Sequence, residues 1–289
     1  MGVGRVESKR FMINQHKFAV FGNPIKHSRS PFIHGEFAKQ FSIALQYRAI
    51  RVELADFDRT VQEFFVGGGA GLNITVPFKE KAYSLVDRTS ARAQRAKACN
   101  TLMPCQEGLY GDNTDGIGLV RDMVANQGWQ IRGARLLLLG AGGAARGALE
   151  ALLRESPERV VIANRTATKA IALAREFKDL GSVEGCSLDA LSEQSAFDII
   201  INATSAGLHG EMPPLPDNLL GDRCCCYDMV YGAEPTTFMR WSAQHAAWAV
   251  SDGLGMLVEQ AAEAFYLWHK ERPDTVSVIN HLRGALAAA

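Results

Sequence analysis

Short apolar runs alternate with segments of helical periodicity along most of this chain. Such alternation is typical of an α/β protein, in which strands and helices follow one another. For the first part of the chain the pattern predicts strands at 17–22 (KFAVFG), 45–52 (LQYRAIRV) and about 71–76, helices near 55–66 and after Pro77, and a hairpin that turns near Glu107 and Gly108.

The pattern changes after residue 115. A helix over 115–127 leads to RLLLLG, an all-apolar strand that is followed by a glycine turn and another helix. Continuous apolar strands of this kind are typical of parallel sheets that are covered by helices on both faces. The further strands are RVVIAN, FDIIINAT, CCCYDMV and AWAVSDG, and the long apolar segment LGMLVEQAAEAFYLWHK predicts a helix. We therefore expect two α/β domains, the first at 1–115 with helices from 253–289, and the second, doubly wound, at 116–252.

The glycine turn matches a dinucleotide-binding pattern. LLLLGAGGAARG fits G-x-G-x-x-A with Gly140, Gly142 and Ala145. Gly140 allows a tight turn, Gly142 lets the backbone approach a pyrophosphate, and the N–H groups of the next helix face its charge. Glycine-rich turns also occur for packing alone, but the strand–turn–helix context favours dinucleotide binding. The second domain is therefore predicted to be a Rossmann domain.

The end of the next predicted strand carries positive charge. NAD-binding sites place Asp or Glu about twenty residues after the glycine turn, where it binds the ribose 2′-hydroxyl. This chain has Asn164 there, followed by Arg165, with Lys169 four residues further on. A 2′-phosphate requires cationic donors, so the predicted cofactor is NADP. The alternative is that Arg165 and Lys169 are solvated surface charges.

Two serines precede the first predicted helix. Ser28 and Ser30, in HSRSP, point to one side if the segment is extended, and they lie beside a helix N-terminus. They are candidates for binding a carboxylate. The alternative for Ser30 is simple N-capping of the helix that contains Pro31.

A lysine and an aspartate are candidates for proton transfer. Lys79, in NITVPFKEK, lies in the first helical turn after Pro77, where a cation opposes the helix dipole. In GDNTDG, Asp112 and Asp115 are three residues apart and the later Glu of a calcium loop is absent, so we reject an EF-hand. A pair of Lys79 and Asp115 could hold a hydroxyl and manage its proton. The alternatives are a solvated lysine and an isolated turn.

Composition excludes several classes of protein. The 289 residues are 47% hydrophobic and 21% charged with zero formal net charge, which is typical of a globular protein and disfavours nucleic acid as a partner. No run reaches membrane-spanning length, and the polar N-terminus, expected to be an extension before the first strand, lacks the apolar region of a signal peptide. The six cysteines lack C-x-x-C spacing, so we expect free thiols, no metal site and a cytoplasmic protein.

Taken together in order, the motifs closely resemble those of bacterial, NADP-dependent, biosynthetic shikimate dehydrogenases. The resemblance runs from about residue 18 to the end of the chain. It implies reversible NADPH-dependent reduction of 3-dehydroshikimate to shikimate in aromatic amino-acid (chorismate) biosynthesis, by a protein with a substrate domain and an NADP-binding domain. We expect a monomer or homodimer, and the sequence does not distinguish the two. The stretches that carry it are AVFGNPIKHSRSPFIH, NITVPFKEKA, CNTLM, GDNTDGIGL, LLLGAGGAARG, NRTATK, FDIIINATSAG, YDMVY and DGLGMLVEQAAEAFYLWH.

The resemblance also implies a role for individual residues. Lys79 exchanges the proton of the reacting oxygen and Asp115 is its partner. The substrate residues that it implies are Ser28 and Ser30 at the carboxylate, and Thr75, Lys79, Asn100, Asp115, Tyr231 and Gln260 around the ring. The cofactor residues are Gly140, Ala141, Gly142, Gly143 and Ala144 at the pyrophosphate, Asn164, Arg165, Thr166 and Lys169 at the 2′-phosphate, and Met229 and Gly253 at the nicotinamide. Relatives often carry Arg in place of Lys169, which keeps the charge but not the bidentate fork.

Two alternatives stay open at this point. One is a quinate/shikimate dehydrogenase with relaxed cofactor use, which the pairing of Arg165 with Lys169 disfavours. The other is a nucleotide-binding regulatory or scaffolding protein without turnover. The presence of both Lys79 and Asp115 disfavours this second alternative.

Overall fold

The computed structural model describes residues 16–204, 206 and 211–288. The predicted polar N-terminal extension lies outside the described residues, as does part of the NATSAG motif. Strands and helices alternate along the described chain and form two six-stranded sheets, which confirms the predicted α/β class. Within the described ranges, no helix combines the length and the apolar character that a bilayer crossing requires.

The first sheet has strand order β2-β1-β3-β5-β6-β4. Strand β1 lies between β2 and β3 and is parallel to both, whereas β5 and β6 form the predicted antiparallel hairpin. Parallel strands end at the same edge, so the loops that follow β1 and β3 meet. The elements of this part are β1 (His16–Gly22), α1 (Ser30–Gln40), β2 (Leu45–Arg51), α2 (Phe57–Val66), β3 (Gly69–Ile74), α3 (Lys79–Leu85), β4 (Arg88–Thr89), α4 (Ala91–Ala96), β5 (Thr101–Cys105) and β6 (Gly108–Asp112).

The second sheet is parallel throughout, with strand order β12-β11-β10-β7-β8-β9. The chain starts at β7 in the middle and winds outward in both directions, which is the doubly wound order of a Rossmann sheet. This confirms the predicted fold class of the second part. Its elements are α5 (Asp115–Arg121), β7 (Arg135–Leu139), α6 (Gly143–Arg154), β8 (Arg159–Asn164), α7 (Ala167–Phe177), β9 (Val183–Ser187), β10 (Phe197–Asn202), β11 (Leu220–Asp228), α8 (Thr237–Gln244) and β12 (Ala249–Asp252).

Both faces of the second sheet are buried, which explains its continuous apolar strands. Leu136 and Leu138 pack in one core cluster and Leu137 in another on the opposite face. The consecutive cysteines follow the same rule, since Cys224 and Cys226 lie in the second cluster while Cys225 packs against the first. Neighbouring side chains of a strand point to opposite faces, as expected.

Two final helices, α9 (Leu254–His269) and α10 (Val276–Ala287), return the chain to the first sheet. They form a separate core cluster with α1, in which Ile33 and Phe37 pack with Val258 and Phe265. Helix α9 also packs against α5, so it contacts elements of both parts of the molecule. The part of the molecule that contains the first sheet is therefore built from the two ends of the described chain.

Glu263 of α9 joins segments that are distant in sequence. Its buried carboxylate accepts hydrogen bonds from Arg92 of α4, from Arg121 of α5 and from Arg272, which follows α9. Burial by itself raises the pKa of Glu263, but Arg272, Arg121 and Arg92 outweigh burial and lower the pKa to about 2. The ion pairs of these three guanidinium groups with one carboxylate thus connect α4, α5 and α9.

Some local predictions differ from the structure. The strand predicted at about 71–76 ends at Ile74, because Thr75 opens a turn in which its carbonyl accepts from the Phe78 N–H. The helix predicted over 115–127 continues beyond Arg121 as a π-helical turn (Asp122–Asn126). Wider turns of this kind occur where packing displaces the regular hydrogen bonds of an α-helix.

Candidate active site

A cleft of about 360 Å³ lies where the ends of β1 and β3 face helix α9 and the ends of β11 and β12. A volume of this size suits a small molecule. The cleft brings together residues from widely separated parts of the chain. All eight predicted substrate residues line it, together with two predicted for the nicotinamide: Ser28, Ser30, Thr75, Lys79, Asn100, Asp115, Tyr231, Gln260, Met229 and Gly253.

Lys79 and Asp115 form an ion pair in this cleft. Nζ of Lys79 donates to Oδ2 of Asp115 at 2.6 Å, and both side chains are partly buried. Each residue is the first of its helix, α3 and α5 respectively. A carboxylate is favoured at a helix start and a cation is not, so Asp115 offsets the unfavourable position of Lys79. The ammonium has three donors, and Asp115 takes one of them.

Asn100 holds the other oxygen of this carboxylate. Its Nδ2 donates to Oδ1 of Asp115 at 2.8 Å and to Oε1 of Gln260 at 3.2 Å. The backbone N–H of Thr114 donates to Oδ1 of Asn100, which fixes the orientation of the amide. Gln260 can lie this close because α5 carries Gly118, where a Cβ would be 2.7 Å from Cβ of Gln260. Asp115 is therefore held on both oxygens.

The two serines line the cleft from the start of α1. Ser30 is buried, and its backbone N–H donates to Oγ of Ser28 at 3.3 Å. The N-capping alternative for Ser30 is wrong, because Arg29 holds the N-cap position and Ser30 is already the first helical residue. The Ser30 hydroxyl is not committed to an N-cap hydrogen bond and stays a candidate for a substrate carboxylate.

Tyr231 closes the cleft on the side of the second sheet. Burial raises the pKa of its phenol, and the nearby Asp252 carboxylate adds to this effect, whereas Arg29 opposes it. The phenol is therefore neutral at physiological pH, where it can donate a hydrogen bond to a hydroxyl or carboxylate.

The sequence interpretation missed Asn73, which also lines the cleft. Its Nδ2 donates to the Asn100 carbonyl at 3.2 Å and to Oγ1 of Thr101 at 3.1 Å, and Tyr47 Oη donates to its Oδ1 at 2.7 Å. Asn73 precedes Thr75 by two residues within the strand that the sequence predicts at about 71–76. Strand alternation around Thr75 was therefore a signal that could have found it.

The glycine turn between β7 and α6 fits a pyrophosphate. Gly140 has φ +104°, which other residues rarely adopt, and a Cβ there would lie 3.1 Å from the Ala203 carbonyl oxygen. Helix α6 begins at Gly143, and its N-cap, Gly142, provides no side-chain cap. Gly142, Gly143 and Ala144 are exposed. The first N–H groups of α6 thus face open space and suit an anion.

The basic residues lie at the end of the neighbouring strand, β8. Arg165, Thr166 and Lys169 are exposed, and Lys169 stands in the first turn of α7 as expected. Asn164 shapes this turn, since its Nδ2 donates to the Thr166 carbonyl at 3.0 Å. These residues and the glycine turn do not line the cleft itself, whereas Met229 and Gly253 do. An uncapped helix start and two exposed cations, Arg165 and Lys169, are groups that suit a pyrophosphate and a 2′-phosphate, so the residues present fit NADP.

A doubly wound sheet, an uncapped glycine turn with basic neighbours, and a cleft with a lysine–aspartate pair define a dinucleotide-dependent α/β dehydrogenase. Family models agree with this class. Residues 20–102 match the substrate-binding domain of shikimate dehydrogenase, 122–209 match shikimate/quinate 5-dehydrogenase, and 253–283 match the shikimate 5′-dehydrogenase C-terminal domain.

Individual relatives are similar over nearly their whole length. A shikimate dehydrogenase (NADP(+)) of Cellvibrio japonicus is 56% identical over 93% of this chain and 97% of its own. A crystal structure of an Ael1 enzyme from Pseudomonas putida matches with a TM-score of 0.88 at 47% identity, over 93% of this chain and 98% of that one. A Thermus thermophilus shikimate 5-dehydrogenase in complex with NADP(H) and shikimate matches with a TM-score of 0.83 at 33% identity, over 94% and 100%. The chain belongs to the shikimate dehydrogenase family.

Proposed function

We propose that this protein catalyses the reversible NADPH-dependent reduction of 3-dehydroshikimate to shikimate, a step of aromatic amino-acid biosynthesis. The observation that carries the proposal is the ion pair of Lys79 and Asp115, 2.6 Å apart, in one cleft with Met229 and Gly253. The relatives named above support both the substrate and the cofactor.

In the reductive direction, bound NADPH supplies the hydride. Lys79 donates a proton to the oxygen that becomes an alkoxide, and its positive charge stabilises that oxygen before transfer. Asp115 accepts a hydrogen bond from the ammonium and, with Asn100, keeps it directed at the ring of the substrate. In the oxidative direction Lys79 takes the proton back.

The remaining cleft residues bind and orient the substrate. Ser28 and Ser30 donate their hydroxyls to its carboxylate, and the neutral phenol of Tyr231 adds a further donor. Thr75, Asn100 and Gln260 surround the ring hydroxyls. Each of these groups is a neutral donor or acceptor, which suits a polyhydroxylated ring that carries one charge.

At the other end of the cofactor site, Arg165 and Lys169 hold the 2′-phosphate, with Asn164 and Thr166 beside them. Gly140, Ala141, Gly142, Gly143 and Ala144 hold the pyrophosphate at the start of α6. In this proposal the substrate domain comprises 1–115 with 253–289, the NADP-binding domain comprises 116–252, and the enzyme acts in the cytoplasm as a monomer or homodimer.

The test is a spectrophotometric assay of the purified protein with shikimate or quinate, each combined with NADP or NAD. We expect fast turnover with shikimate and NADP alone. Comparable rates with quinate or NAD would identify a quinate/shikimate dehydrogenase, an activity that the description of one matched family model also includes. Binding of NADP without turnover of any pair would contradict the roles given to Lys79 and Asp115.

A further inference from the structure

Asp228 is a fully buried carboxylate at the end of β11. Its Oδ1 accepts from Nδ2 of Asn202 at 3.2 Å and from the backbone N–H of Val230 at 3.1 Å, and its Oδ2 accepts from Oγ1 of Thr236 at 2.6 Å. All three partners donate, and all three are neutral. Such a set of donors stabilises the ionised form of a carboxylate.

Asp228 has no positive partner among the residues that the structure describes. No Lys, Arg or His nitrogen in the described ranges lies within 4.0 Å of its oxygens. Asp252, its neighbour in register on β12, differs in this respect, since Arg283 forms an ion pair with it. Two carboxylates thus end adjacent strands, and of these two only Asp228 lacks a cation within 4.0 Å in the part of the chain that the structure describes.

Such a group destabilises the fold, because burying a charge without a counter-ion is unfavourable. Burial raises the pKa of Asp228, the hydrogen bonds from Thr236, Val230 and Asn202 oppose this effect, and Asp252 adds to it. An asparagine is close in shape and could still accept from Asn202 and Val230. Hydrogen bonding of the loop alone therefore does not account for a charge at position 228.

The position of Asp228 provides a reason for the charge. Met229, the next residue, lines the cleft, and so does Gly253, which follows Asp252. The Val230 N–H that Asp228 binds lies in the same loop, whose Val230 carbonyl accepts from the Gly253 N–H. Asp228 therefore lies directly behind the wall that the proposed function assigns to the nicotinamide.

We infer that Asp228 is a positioning residue whose negative charge makes the nicotinamide end of the cleft favour the cationic ring of NADP⁺ over the neutral ring of NADPH. The inference rests on the proposed NADP-dependent function. A carboxylate in a low-dielectric interior attracts a nearby cation more strongly than it would in water. Asp228 acts on the cofactor through its electrostatic field and through the position of the loop that contains Met229. It does not touch the reacting atoms.

The experiment measures dissociation constants by isothermal titration calorimetry for NADP⁺, NADPH and adenosine 2′,5′-bisphosphate, which lacks the nicotinamide. In Asp228→Asn we expect NADP⁺ affinity to fall about tenfold relative to NADPH affinity, which corresponds to about 1.4 kcal/mol. Affinity for the bisphosphate should stay unchanged. Asp228→Glu, which keeps the charge, should keep the NADP⁺ to NADPH ratio even if both affinities fall.

A second control separates the charge from the support of the loop. Thr236→Ala removes a hydrogen bond to Asp228 and leaves the carboxylate in place, so it should alter both affinities alike. If Asp228→Asn leaves the NADP⁺ to NADPH ratio at the wild-type value, or if Thr236→Ala changes that ratio as much, Asp228 supports the loop only and the inference is wrong.

The wild-type protein provides a measurement that does not depend on folding of the variant. We expect it to bind NADP⁺ at least as tightly as NADPH, and tenfold tighter binding of NADPH would overturn the inference. A wild-type protein that binds neither dinucleotide would refute the proposed function and, with it, this inference. Normal binding of both with an unchanged ratio in Asp228→Asn would refute the inference alone.

Discussion

Nζ of Lys79 lies 2.6 Å from Oδ2 of Asp115, although 36 positions separate the two residues in the chain. The contact joins the first residue of a helix in the first part of the molecule to the first residue of the helix that leads into the second part. It therefore depends on how the two parts are held together. It also places the only acid–base pair of the proposed mechanism where the substrate and cofactor would meet.

Replacing Lys79 with Ala should lower turnover of shikimate by about 10² to 10⁴-fold, because the proton donor and its positive charge are both lost. NADPH binding should stay nearly unchanged, which fluorescence titration would measure. The matched control is Lys81→Ala on the same helix, whose ammonium contacts Asp58 and the Leu54 carbonyl outside the cleft. A near-normal rate in Lys79→Ala would contradict the assignment.

Replacing Arg165 with Ala should raise KM for NADP by about 10- to 100-fold and leave KM for NAD unchanged, because a charge-assisted hydrogen bond to the 2′-phosphate is lost. Steady-state kinetics with both cofactors would measure this. Arg175→Ala, also on the surface of the second part, is the control and should alter neither constant. An equal rise for both cofactors would mean that Arg165 does not distinguish them.

Replacing Gly253 with Ala should disturb the wall of the cleft. A Cβ at this position would lie 2.2 Å from the Met229 carbonyl oxygen, so the ends of β11 and β12 would have to separate. We expect a loss of about 1–3 kcal/mol in the free energy of unfolding and turnover reduced at least about tenfold. Urea denaturation and the shikimate assay would measure the two effects.

The control for Gly253→Ala is Gly284→Ala in α10, where an added Cβ meets nothing within 4 Å. Alanine favours the helix, so this variant should be more stable by about 0.5–1 kcal/mol with normal turnover. If Gly253→Ala kept the wild-type free energy of unfolding and turnover, the close approach of Gly253 to Met229 would be required for neither stability nor activity.

Glu263 should make the free energy of unfolding depend on pH in the acidic range. Its pKa is lowered to about 2 in the folded protein, so its stabilising effect is complete above its ordinary pKa of 4.5 and is lost as pH falls toward 2. Glu263→Gln should lose about 3 kcal/mol at neutral pH and show a weaker dependence between about pH 5 and pH 2. Urea denaturation across this range would measure both.

The exposed Glu271→Gln, eight residues further along the chain, is the control for Glu263→Gln and should keep the wild-type pH profile. An unchanged acid dependence in Glu263→Gln would mean that the three arginines do not stabilise the fold through this carboxylate.

Much of the fold could be predicted because a strand that is buried on both faces has a continuous apolar sequence, which is easily recognised. RLLLL and RVVIAN are almost entirely apolar since both faces pack against helices. The strands β4 and β9 escaped prediction for the opposite reason. Arg88–Thr89 is only two residues long, and Val183–Ser187 is a partly exposed edge strand with no fully buried residue.

Some residues of the site could likewise be predicted from the local sequence, and others could not. Lys79, Asp115 and Gly140 stand at the ends of regular elements, where their local sequence already indicates a special position. The environments of Asn73 and Asp228 could not be predicted from their local sequence, because they arise from contacts between distant segments. The hydrogen bond from Tyr47 to Asn73 joins two strands. Among the described residues, the lack of a cation within 4.0 Å of Asp228 depends on which side chains surround it.

The packing of α1 against α9 has a consequence for the order in which the protein can be completed. Ile33 and Phe37 emerge early in synthesis, yet Val258 and Phe265, which cover them, are made near the end. Until then the apolar face of α1 is exposed in the nascent chain, where it can aggregate or bind a chaperone. A chain that stopped at residue 252 would hold every strand of both sheets and still lack the cover of its first helix.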